Sequence, residues 1–215
     1  MLAEDGGTQT GAPRETRIQA ANRRVILDAA LEVFSAFGFR GSTLDAIAVR
    51  AGMSKPNMLY YFRSKQDIYV QVLRDTLDAW LAPLAALDPN GDPVEELSAY
   101  IRAKMAMSAK RPQASQLFAN EILHGAPAIH SFLTGPLKAL VDDKAKVIEG
   151  WIAAGKLAPV DPHHLIFMIW AATQHYADFD AQVRAVLGER ASAPDFADKA
   201  AEAVLAVILG GVKAR

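Results

Sequence analysis

Apolar residues recur at offsets of three and four along most of the chain, which is the spacing of amphipathic helices. The first clear stripe lies in residues 22–37 and consists of Ile26, Ala29, Ala30, Val33, Phe34 and Phe37. No segment shows the alternation of apolar and polar residues that is typical of a half-buried strand. The pattern therefore predicts an all-α protein.

Two short helices joined by a tight turn are predicted in residues 43–65. Thr43 and Ser54 are suitable N-caps, and Pro56 lies in a first turn, where its missing N–H costs nothing. Gly52 lies where the first helix must leave the right-handed region, which a residue without Cβ does at low cost. Two short helices around such a turn are typical of the helix-turn-helix that enters the DNA major groove.

The second of these helices has two different faces. Met58 and Phe62 are four residues apart and point towards a core. The other face carries an amide and two phenols, which suit base edges and phosphates. Its residues are Pro56, Asn57, Tyr60 and Tyr61. Packing against the following helix is the alternative role for the two tyrosines.

A long helix is predicted over 65–81, opened by a capping box of Ser64 and Asp67 and ended or kinked by Pro83. It runs from the helix-turn-helix to Trp80, so it links the surroundings of Trp80 to the recognition helix. Further helices are predicted over 93–109, 112–123, 127–133, 137–153, 162–178 and 193–209.

The helix at 162–178 is apolar nearly all round, which indicates burial on more than one side. Together with the apolar helix at 193–209 and a two-fold axis, it predicts a four-helix homodimer interface. One stripe of the same helix carries Trp170, Thr173 and Gln174. An aromatic ring one turn from an amide suits a flat heterocyclic ligand. A core glutamine bonded to the backbone is the alternative.

Charge and composition narrow the class of protein. Residues 14–65 hold nine basic and four acidic residues, a net charge of +5, whereas the 215-residue chain carries −1. A basic segment beside an acidic remainder suits DNA at one end only, with solvated surface charge as the alternative. The chain has no cysteine, which excludes disulfides and Cys-based zinc sites. The longest apolar run, 165–172, is too short to span a membrane and the N-terminus lacks a signal-peptide pattern, so a cytoplasmic location is expected.

No catalytic motif stands out, so neither an enzyme nor a cofactor is predicted. The glycines between 6 and 11 lack the Lys and Ser or Thr of a phosphate loop, and no Gly-x-Ser-x-Gly occurs. Glu121 and His124 are three residues apart on a predicted helix, the spacing of metal ligands in some helical proteins. A helical metal-binding protein is therefore an alternative.

The run GxxxSTLDAIAxxAGMSKPNMLYYFxSKQDIY, within residues 38–69, resembles the N-terminal domain of the TetR family of transcriptional repressors. The resemblance covers about residues 20–70. It implies phosphate contacts from Thr43, Tyr60, Tyr61 and Lys65, and base readout by Lys55, Pro56 and Asn57. The chain departs from the family pattern at Leu59, where the family has a tyrosine, and at Tyr61, where it has a histidine, so Leu59 is not expected to contact DNA.

Four later segments, 77–84, 111–123, 133–144 and 155–179, resemble the pyrimidine-utilisation regulators within that family. This resemblance implies uracil or thymine as the effector. It implies a pocket formed by Trp80, Phe118, Trp170 and Gln174. A TetR-type repressor with a different small hydrophobic effector is the main alternative.

These inferences predict a homodimeric repressor that binds a near-palindromic operator in double-stranded DNA and has no membrane partner. Residues 1–16 are expected to form a disordered arm, from which Arg14 and Arg17 could reach DNA. Residues 17–66 are expected to form the helix-turn-helix domain, and 67–215 the effector-binding and dimerisation domain. The two recognition helices of a dimer would lie about 34–36 Å apart, or a multiple of that distance, to enter successive major grooves.

Overall fold

A computed structural model describes residues 16–214 of the chain. The first four helices are α1 (Arg17–Gly41), α2 (Leu44–Arg50), α3 (Lys55–Tyr61) and α4 (Lys65–Ala85). The predicted disordered arm, residues 1–16, lies outside the described part of the chain except for Thr16, and Arg14 lies outside it as well. Thr16 is described, and its hydroxyl caps α1 in a reciprocal capping box with Gln19. This box explains why α1 begins at Arg17, five residues before the predicted start.

The remaining chain is also helical. It forms α5 (Pro93–Lys110), α6 (Pro112–Leu123), α7 (His130–Phe132), α8 (Lys138–Ala153), α9 (Pro162–Asp178), α10 (Asp180–Leu187) and α11 (Phe196–Val212). A π-helical turn, Leu133–Leu137, joins α7 to α8, and a 3₁₀ turn, Gly188–Ser192, follows α10. Within residues 16–214 the extended backbone is limited to one isolated bridge between Leu157 and Lys213. The prediction of an all-α fold is confirmed.

The local signals around the helix-turn-helix act as the sequence predicts. The side chains of Thr43, Ser54 and Ser64 each accept a hydrogen bond from the backbone N–H three residues later. Gly52 has φ +66°, the left-handed conformation for which glycine was expected, and Gly38 interrupts α1 with the same φ. These caps determine where each short helix begins and therefore which way the recognition helix α3 faces.

Pro83 neither ends nor begins a helix. It lies inside α4, which continues to Ala85. A proline in a helix removes one backbone hydrogen bond. Leu84, the next residue, is completely buried in the core and holds the last turn in place. Tertiary packing therefore outweighs the local signal at this position.

The apolar core consists of two clusters that meet along α4. One cluster extends from Ile26 of α1 to Leu77 of α4 and takes in Ala114 and Leu117 of α6. The other begins at Leu84 and is built mainly from α5, α8, α9 and α11. Helix α6 therefore packs on α1 and α4 in the N-terminal cluster although it lies far along the chain. Residues 66 and 67, the predicted domain boundary, lie in the first turn of the continuous helix α4.

Part of α9 and α11 exposes large apolar side chains. Phe167 and Met168 of α9 are 50% and 63% exposed, and Val207 of α11 is 77% exposed. Other residues of the same helices, including Ile166, Ile169 and Ile208, are buried in the core. These two helices are thus apolar on an inner and an outer face, as the composition of 162–178 indicated. Among the helices of residues 16–214, none combines the length and the hydropathy that a membrane span requires.

Candidate DNA interface and effector site

The recognition helix α3 separates its core residues from its exposed residues as predicted. Met58 is fully buried and Phe62, at the C-cap, is buried beside it. Pro56 and Asn57 are exposed, and the Tyr60 side chain is 71% exposed. The exposed face therefore presents an amide and a phenol to solvent, the groups that can read base edges and phosphates.

Two amides on α1 orient the two tyrosines of α3. The side-chain amide of Gln19 donates to the Tyr60 hydroxyl at 3.3 Å, and that of Asn22 donates to the Tyr61 hydroxyl at 2.7 Å. The two rings meet edge to face with centroids 5.1 Å apart. Because each phenol oxygen accepts one bond, its own O–H proton remains available as a donor.

Tyr61 is held more tightly than the sequence indicated. Its ring is half-buried and packs on the cluster around α1, and its carbonyl oxygen accepts a hydrogen bond from Arg23 at 2.9 Å. Tyr61 therefore packs against α1, and not against α4 as the alternative interpretation of the sequence had it. Tyr60 is the more accessible of the two phenols.

Lys65 has a structural role that the sequence did not reveal. Its ammonium donates to the carbonyl oxygens of Phe39 and Ser42, both at 2.7 Å, and lies 4.5 Å from the centroid of the Phe39 ring. The start of α4 is thereby attached to the turn between α1 and α2. Of the three ammonium protons, one remains for a phosphate, and the phosphate contact of Lys65 stays a prediction.

Thr43 and Lys55 flank the exposed face of α3. The Thr43 hydroxyl accepts from the Ala46 N–H at 3.1 Å and keeps its own proton. Lys55 forms an exposed ion pair of 3.0 Å with Asp45 of α2. Exposed pairs of this kind contribute little free energy, so a phosphate or base could replace Asp45 at low cost.

Trp80 lies between the two apolar clusters and is surrounded by aromatic and charged side chains. Its ring meets that of Phe118 of α6 nearly at right angles, with centroids 5.4 Å apart. The ammonium of Lys104, on α5, lies 4.2 Å from the Trp80 ring centroid. Trp80 and Phe118, two of the four predicted effector residues, are thus in contact.

Trp170 and Gln174 lie on α9, which also packs against α5. The Trp170 indole N–H donates to the hydroxyl of Tyr100 at 2.6 Å. Burial raises the pKa of that phenol, and the bond from Trp170 opposes the shift. Tyr100 and Lys104 are one turn apart on α5, so this helix joins the Trp170 pair to the Trp80 pair. The structure places no direct ring contact between Trp80 and Trp170 among the described residues.

The amide of Gln174 is half-buried and forms no hydrogen bond within residues 16–214. Its neighbour Thr173 is fully buried, and the Thr173 hydroxyl bonds back to the Ile169 carbonyl at 2.7 Å. The alternative of a glutamine satisfied by backbone is therefore not what the structure contains. The amide is left free to bind a ligand.

A layer of buried polar side chains separates the two apolar clusters. Six polar residues of the described chain are buried, and four of them belong to this layer: Lys104, Ser108, Ser115 and Thr173. The Ser115 hydroxyl donates to the carboxylate of Asp178, which also attracts the Lys104 ammonium. A polar layer inside a core is costly unless partners satisfy it, and such layers are typical of ligand sites.

Burial shifts the ionisation of the two charged groups in this layer. It lowers the pKa of the Lys104 ammonium to about 8, although the attraction of Asp178 opposes the shift. It raises the pKa of the Asp178 carboxyl, against the hydrogen bond from Ser115 and the charge of Lys104. Burial therefore destabilises the charged form of both groups relative to the neutral form.

A cleft of about 530 Å³ reaches Trp80 from the surface. Its walls come from α1, α4, α5 and α6, and it is lined by Arg24, Asp28, Asp75, Thr76, Ala79, Trp80, Met107, Lys110, Arg111 and Ala114. Its volume is within the range of small-molecule sites. Of the four predicted effector residues only Trp80 lines this cleft; Phe118, Trp170 and Gln174 do not.

Sequence reasoning missed Lys104, Ser108, Tyr100 and Asp178 as site residues. Lys104 was recognisable in principle, because it continues the apolar stripe of Leu97, Tyr100 and Ile101 along α5. A lone lysine on such a stripe usually reaches solvent with its ammonium. Only the packing of α4, α6 and α9 around it shows that this one does not.

The metal-binding alternative does not fit the geometry. One carboxylate oxygen of Glu121 accepts from the Tyr69 hydroxyl at 2.9 Å, and the other accepts from the Ala128 N–H at 2.6 Å. His124 is exposed, and its Nδ1 is hydrogen-bonded to the carbonyl oxygen of Asn120 at 2.7 Å. Among residues 16–214 there is no group of three or more His, Cys, Asp or Glu side chains arranged for a metal ion. Glu121 instead joins α6 to α4.

Both parts of the chain match known protein families. Residues 26–72 match the family described as bacterial regulatory proteins, tetR family. Residues 73–215 match the YcdC-like protein, C-terminal region. The HTH-type transcriptional regulator RutR of Escherichia coli (strain K12) is 50% identical over 210 residues, which cover 98% of this chain and 99% of RutR. The HTH-type transcriptional repressor NicS of Pseudomonas putida is 29% identical over 143 residues, 65% of this chain and 66% of NicS.

Solved structures show the same fold at lower sequence identity. The ketosteroid transcriptional regulator KstR2 of Mycobacterium tuberculosis has a TM-score of 0.70 at 22% identity, covering 90% of this chain and 95% of its own. AibR, solved in complex with isovaleryl coenzyme A and operator DNA, has a TM-score of 0.66 at 18% identity, covering 86% and 97%. Together with the family matches and the near full-length similarity to RutR, they show that this chain belongs to the TetR family of DNA-binding transcriptional regulators.

Proposed function

We propose that this regulator is a homodimeric repressor that releases its operator when a pyrimidine base, uracil or thymine, binds in the polar layer between Trp80 and Trp170. The observation that carries the proposal is the position of Trp80 on α4. This one helix begins at Lys65, attached to the helix-turn-helix, and passes through the candidate effector site. A ligand that moves Trp80 must therefore also move the start of α4.

The chemistry of the site suits a flat polar ring. Trp80, Phe118 and Trp170 supply aromatic surface, and the free Gln174 amide can both donate to and accept from a ring that carries N–H and C=O groups. The 50% identity to RutR and the resemblance to pyrimidine-utilisation regulators support the same class of ligand. A different small hydrophobic effector remains the second candidate, because the aromatic walls do not by themselves require a pyrimidine.

The DNA contacts proposed are those of the exposed face of α3 and its neighbours. Asn57, Pro56 and Lys55 would read base edges, while Tyr60, Tyr61, Thr43 and Lys65 would hold phosphates. Two copies of this face are needed for a near-palindromic operator. The exposed apolar faces of α9 and α11 are the proposed dimer interface.

Release of DNA requires that the effector bind the DNA-incompetent form more tightly than the DNA-bound form. A gel-shift titration on the regulator's own upstream region, with and without uracil or thymine, tests the proposal. We expect the pyrimidine to weaken operator binding, and we expect Trp170→Ala and Gln174→Ala to abolish that response while operator binding without effector is retained. If the two variants respond as the wild type does, the assigned site is wrong.

Thermal unfolding across a ligand panel separates the two candidate effectors. A ligand at about 100 times its dissociation constant adds about 2.7 kcal/mol to the free energy of unfolding. Stabilisation by uracil or thymine, but not by acyl or steroid ligands, supports the pyrimidine. The reverse result supports the second candidate.

A further inference from the structure

Lys104 has no acceptor for its ammonium among residues 16–214. Its side chain is 2% exposed, and its interactions are the face of the Trp80 ring and the longer-range attraction of Asp178. Lysine is almost never fully buried unless it is paired. Burial largely removes the Lys104 ammonium from solvent, and no oxygen of residues 16–214 accepts a hydrogen bond from it.

The other partly buried lysines of the chain behave differently. The ammonium of Lys65 donates to two carbonyl oxygens at 2.7 Å. That of Lys144 lies 3.4 Å from the carbonyl oxygen of Leu87 and 3.7 Å from the carboxylate of Asp143. The fold thus supplies oxygen atoms to these lysines. Lys104 differs from both of these lysines, because no oxygen of the described residues accepts a hydrogen bond from its ammonium.

Ser108, one turn after Lys104 on the same helix, carries a fully enclosed hydroxyl that has no hydrogen-bond partner among residues 16–214. It is 3% exposed, and its hydroxyl oxygen forms no hydrogen bond. Other hydroxyls in helices bond back to the carbonyl four residues earlier, as Thr76 and Thr173 do at 2.8 and 2.7 Å. The Ser108 hydroxyl does not take this option. Two unsatisfied groups therefore lie four residues apart on α5, in the layer between the two apolar clusters.

We propose that Lys104 and Ser108 bind the effector directly, and that the effector presents to Lys104 an oxygen with full or partial negative charge while its ring lies against Trp80. The ligand class is a planar oxo-heterocycle or an aromatic carboxylate. This inference rests on the effector site of the proposed function and adds the polar atoms that the ligand must carry. An ammonium can only donate, so a ligand that places an amino group against Lys104 sets donor against donor and is rejected.

Isothermal titration of the full-length protein tests the inference with two groups of ligands. The first group is uracil, thymine, 2-thiouracil and 4-thiouracil, and the second is benzoate and nicotinate. The variants are Lys104→Met and Ser108→Ala. The control is Arg102→Met, which removes an exposed cation from the same helix outside the cleft. Methionine keeps the length and apolar stem of lysine and removes only the charge and donors.

We expect Lys104→Met to weaken every ligand that binds the wild type by about 10- to 100-fold, the range for a hydrogen bond to a charged group. Ser108→Ala should weaken binding by a smaller factor, and Arg102→Met should leave it unchanged. The wild type should also prefer uracil to at least one of the thio analogues, since sulfur is the weaker acceptor. Lys104→Met should lose this preference for oxygen over sulfur. A purely structural effect of the substitution would weaken all ligands alike and leave the preference in place.

The outcomes separate this inference from the proposed function. If pyrimidines bind wild type and Lys104→Met equally, the inference is overturned and the pyrimidine proposal stands. If only benzoate or nicotinate binds, in a manner that depends on Lys104, the inference stands and the pyrimidine proposal fails. If no ligand of either group binds the wild type, both are overturned. Ser108→Ala and the thio preference of the wild type give the same decision if Lys104→Met does not fold.

Discussion

Arg111, the residue that precedes α6, forms an ion pair with Asp28 of α1, with Nη2 2.8 Å from Oδ1. This ion pair connects the start of α6 to α1. From α6, Ser115 and Gln116 bond to the end of α9 at Asp178 and Ala177. Helix α6 therefore contacts the candidate effector site on one side and α1 of the DNA-binding domain on the other, and it is a second connection beside α4.

Arg111→Met should weaken the coupling between effector and operator. The pair is exposed, so its contribution is at most about 1 kcal/mol and the coupling factor should fall by no more than about fivefold. Operator affinity without effector should change little. The measurement is operator affinity by fluorescence anisotropy at zero and saturating effector. The matched control is Arg102→Met, which breaks an exposed pair with Glu202 of α11 that does not involve α1; equal losses in both variants would remove the special role of Arg111.

Lys65→Met should destabilise the protein, because it leaves the carbonyl oxygens of Phe39 and Ser42 without their donor. The expected loss in the free energy of unfolding is about 1–3 kcal/mol, measured by urea denaturation. Lys55→Met, which breaks an exposed pair, should leave stability nearly unchanged and, because Lys55 is assigned to base readout, should relax discrimination between operator and scrambled DNA. Unchanged stability of Lys65→Met, combined with a lower salt slope, would instead make Lys65 a phosphate contact and not an anchor.

Asn57→Ala and Tyr60→Phe should affect operator binding in different ways. Removal of a base-reading amide should cost about 1–3 kcal/mol on the operator and relax discrimination at one base pair. Removal of the Tyr60 hydroxyl should weaken binding by a similar factor on all sequences, because phosphates carry no sequence information. Competition with a scrambled duplex distinguishes the two. If both variants lose affinity for operator and scrambled DNA in the same proportion, Asn57 does not read bases.

The features predicted well from sequence are those determined within a few residues. Thr43, Ser54 and Gly52 act through hydrogen bonds and backbone angles inside one turn, so their roles follow from residue type and spacing. Helix α10 was missed although it carries a local signal, the i, i+4 pair of Asp180 and Arg184.

The effector site was only half predictable for a different reason. The aromatic residues Trp80 and Trp170 can be recognised by type, whereas the polar residues matter only because of where four helices meet. The burial of Lys104 depends on α4 and α9 supplying Trp80 and Asp178 at opposite sides of it. Likewise, Lys65 as an anchor depends on a turn more than twenty residues earlier in the chain. Tertiary packing of this kind leaves no periodic signal in the sequence.

The stability of the protein should rise with pH between about pH 8 and 10 because of Lys104. Burial lowers the pKa of its ammonium to about 8 in the folded state from an ordinary value of 10.5. Below pH 8 both states are charged and the cost of burying the charge is present in full. Between these two pKa values Lys104 is deprotonated in the folded protein and still protonated in the unfolded chain. Raising the pH therefore favours folding, by about 3 kcal/mol over the whole interval.

Urea unfolding at pH 7, 8, 9 and 10 measures this effect as the difference between wild type and Lys104→Met. The variant should be more stable at pH 7, and the gap should close as the pH rises. Tyr69 and Tyr100, whose pKa values are raised by burial, oppose folding at higher pH, but they do so in both proteins and cancel in the difference. Asp178, the carboxylate nearest in charge to Lys104, is ionised throughout this range in the unfolded chain. Lys110→Met, on the exposed side of the same helix, should follow the wild-type curve. A gap between wild type and Lys104→Met that stays constant from pH 7 to 10 would show that the ammonium is solvated, and it would also remove the need for an effector oxygen at that position.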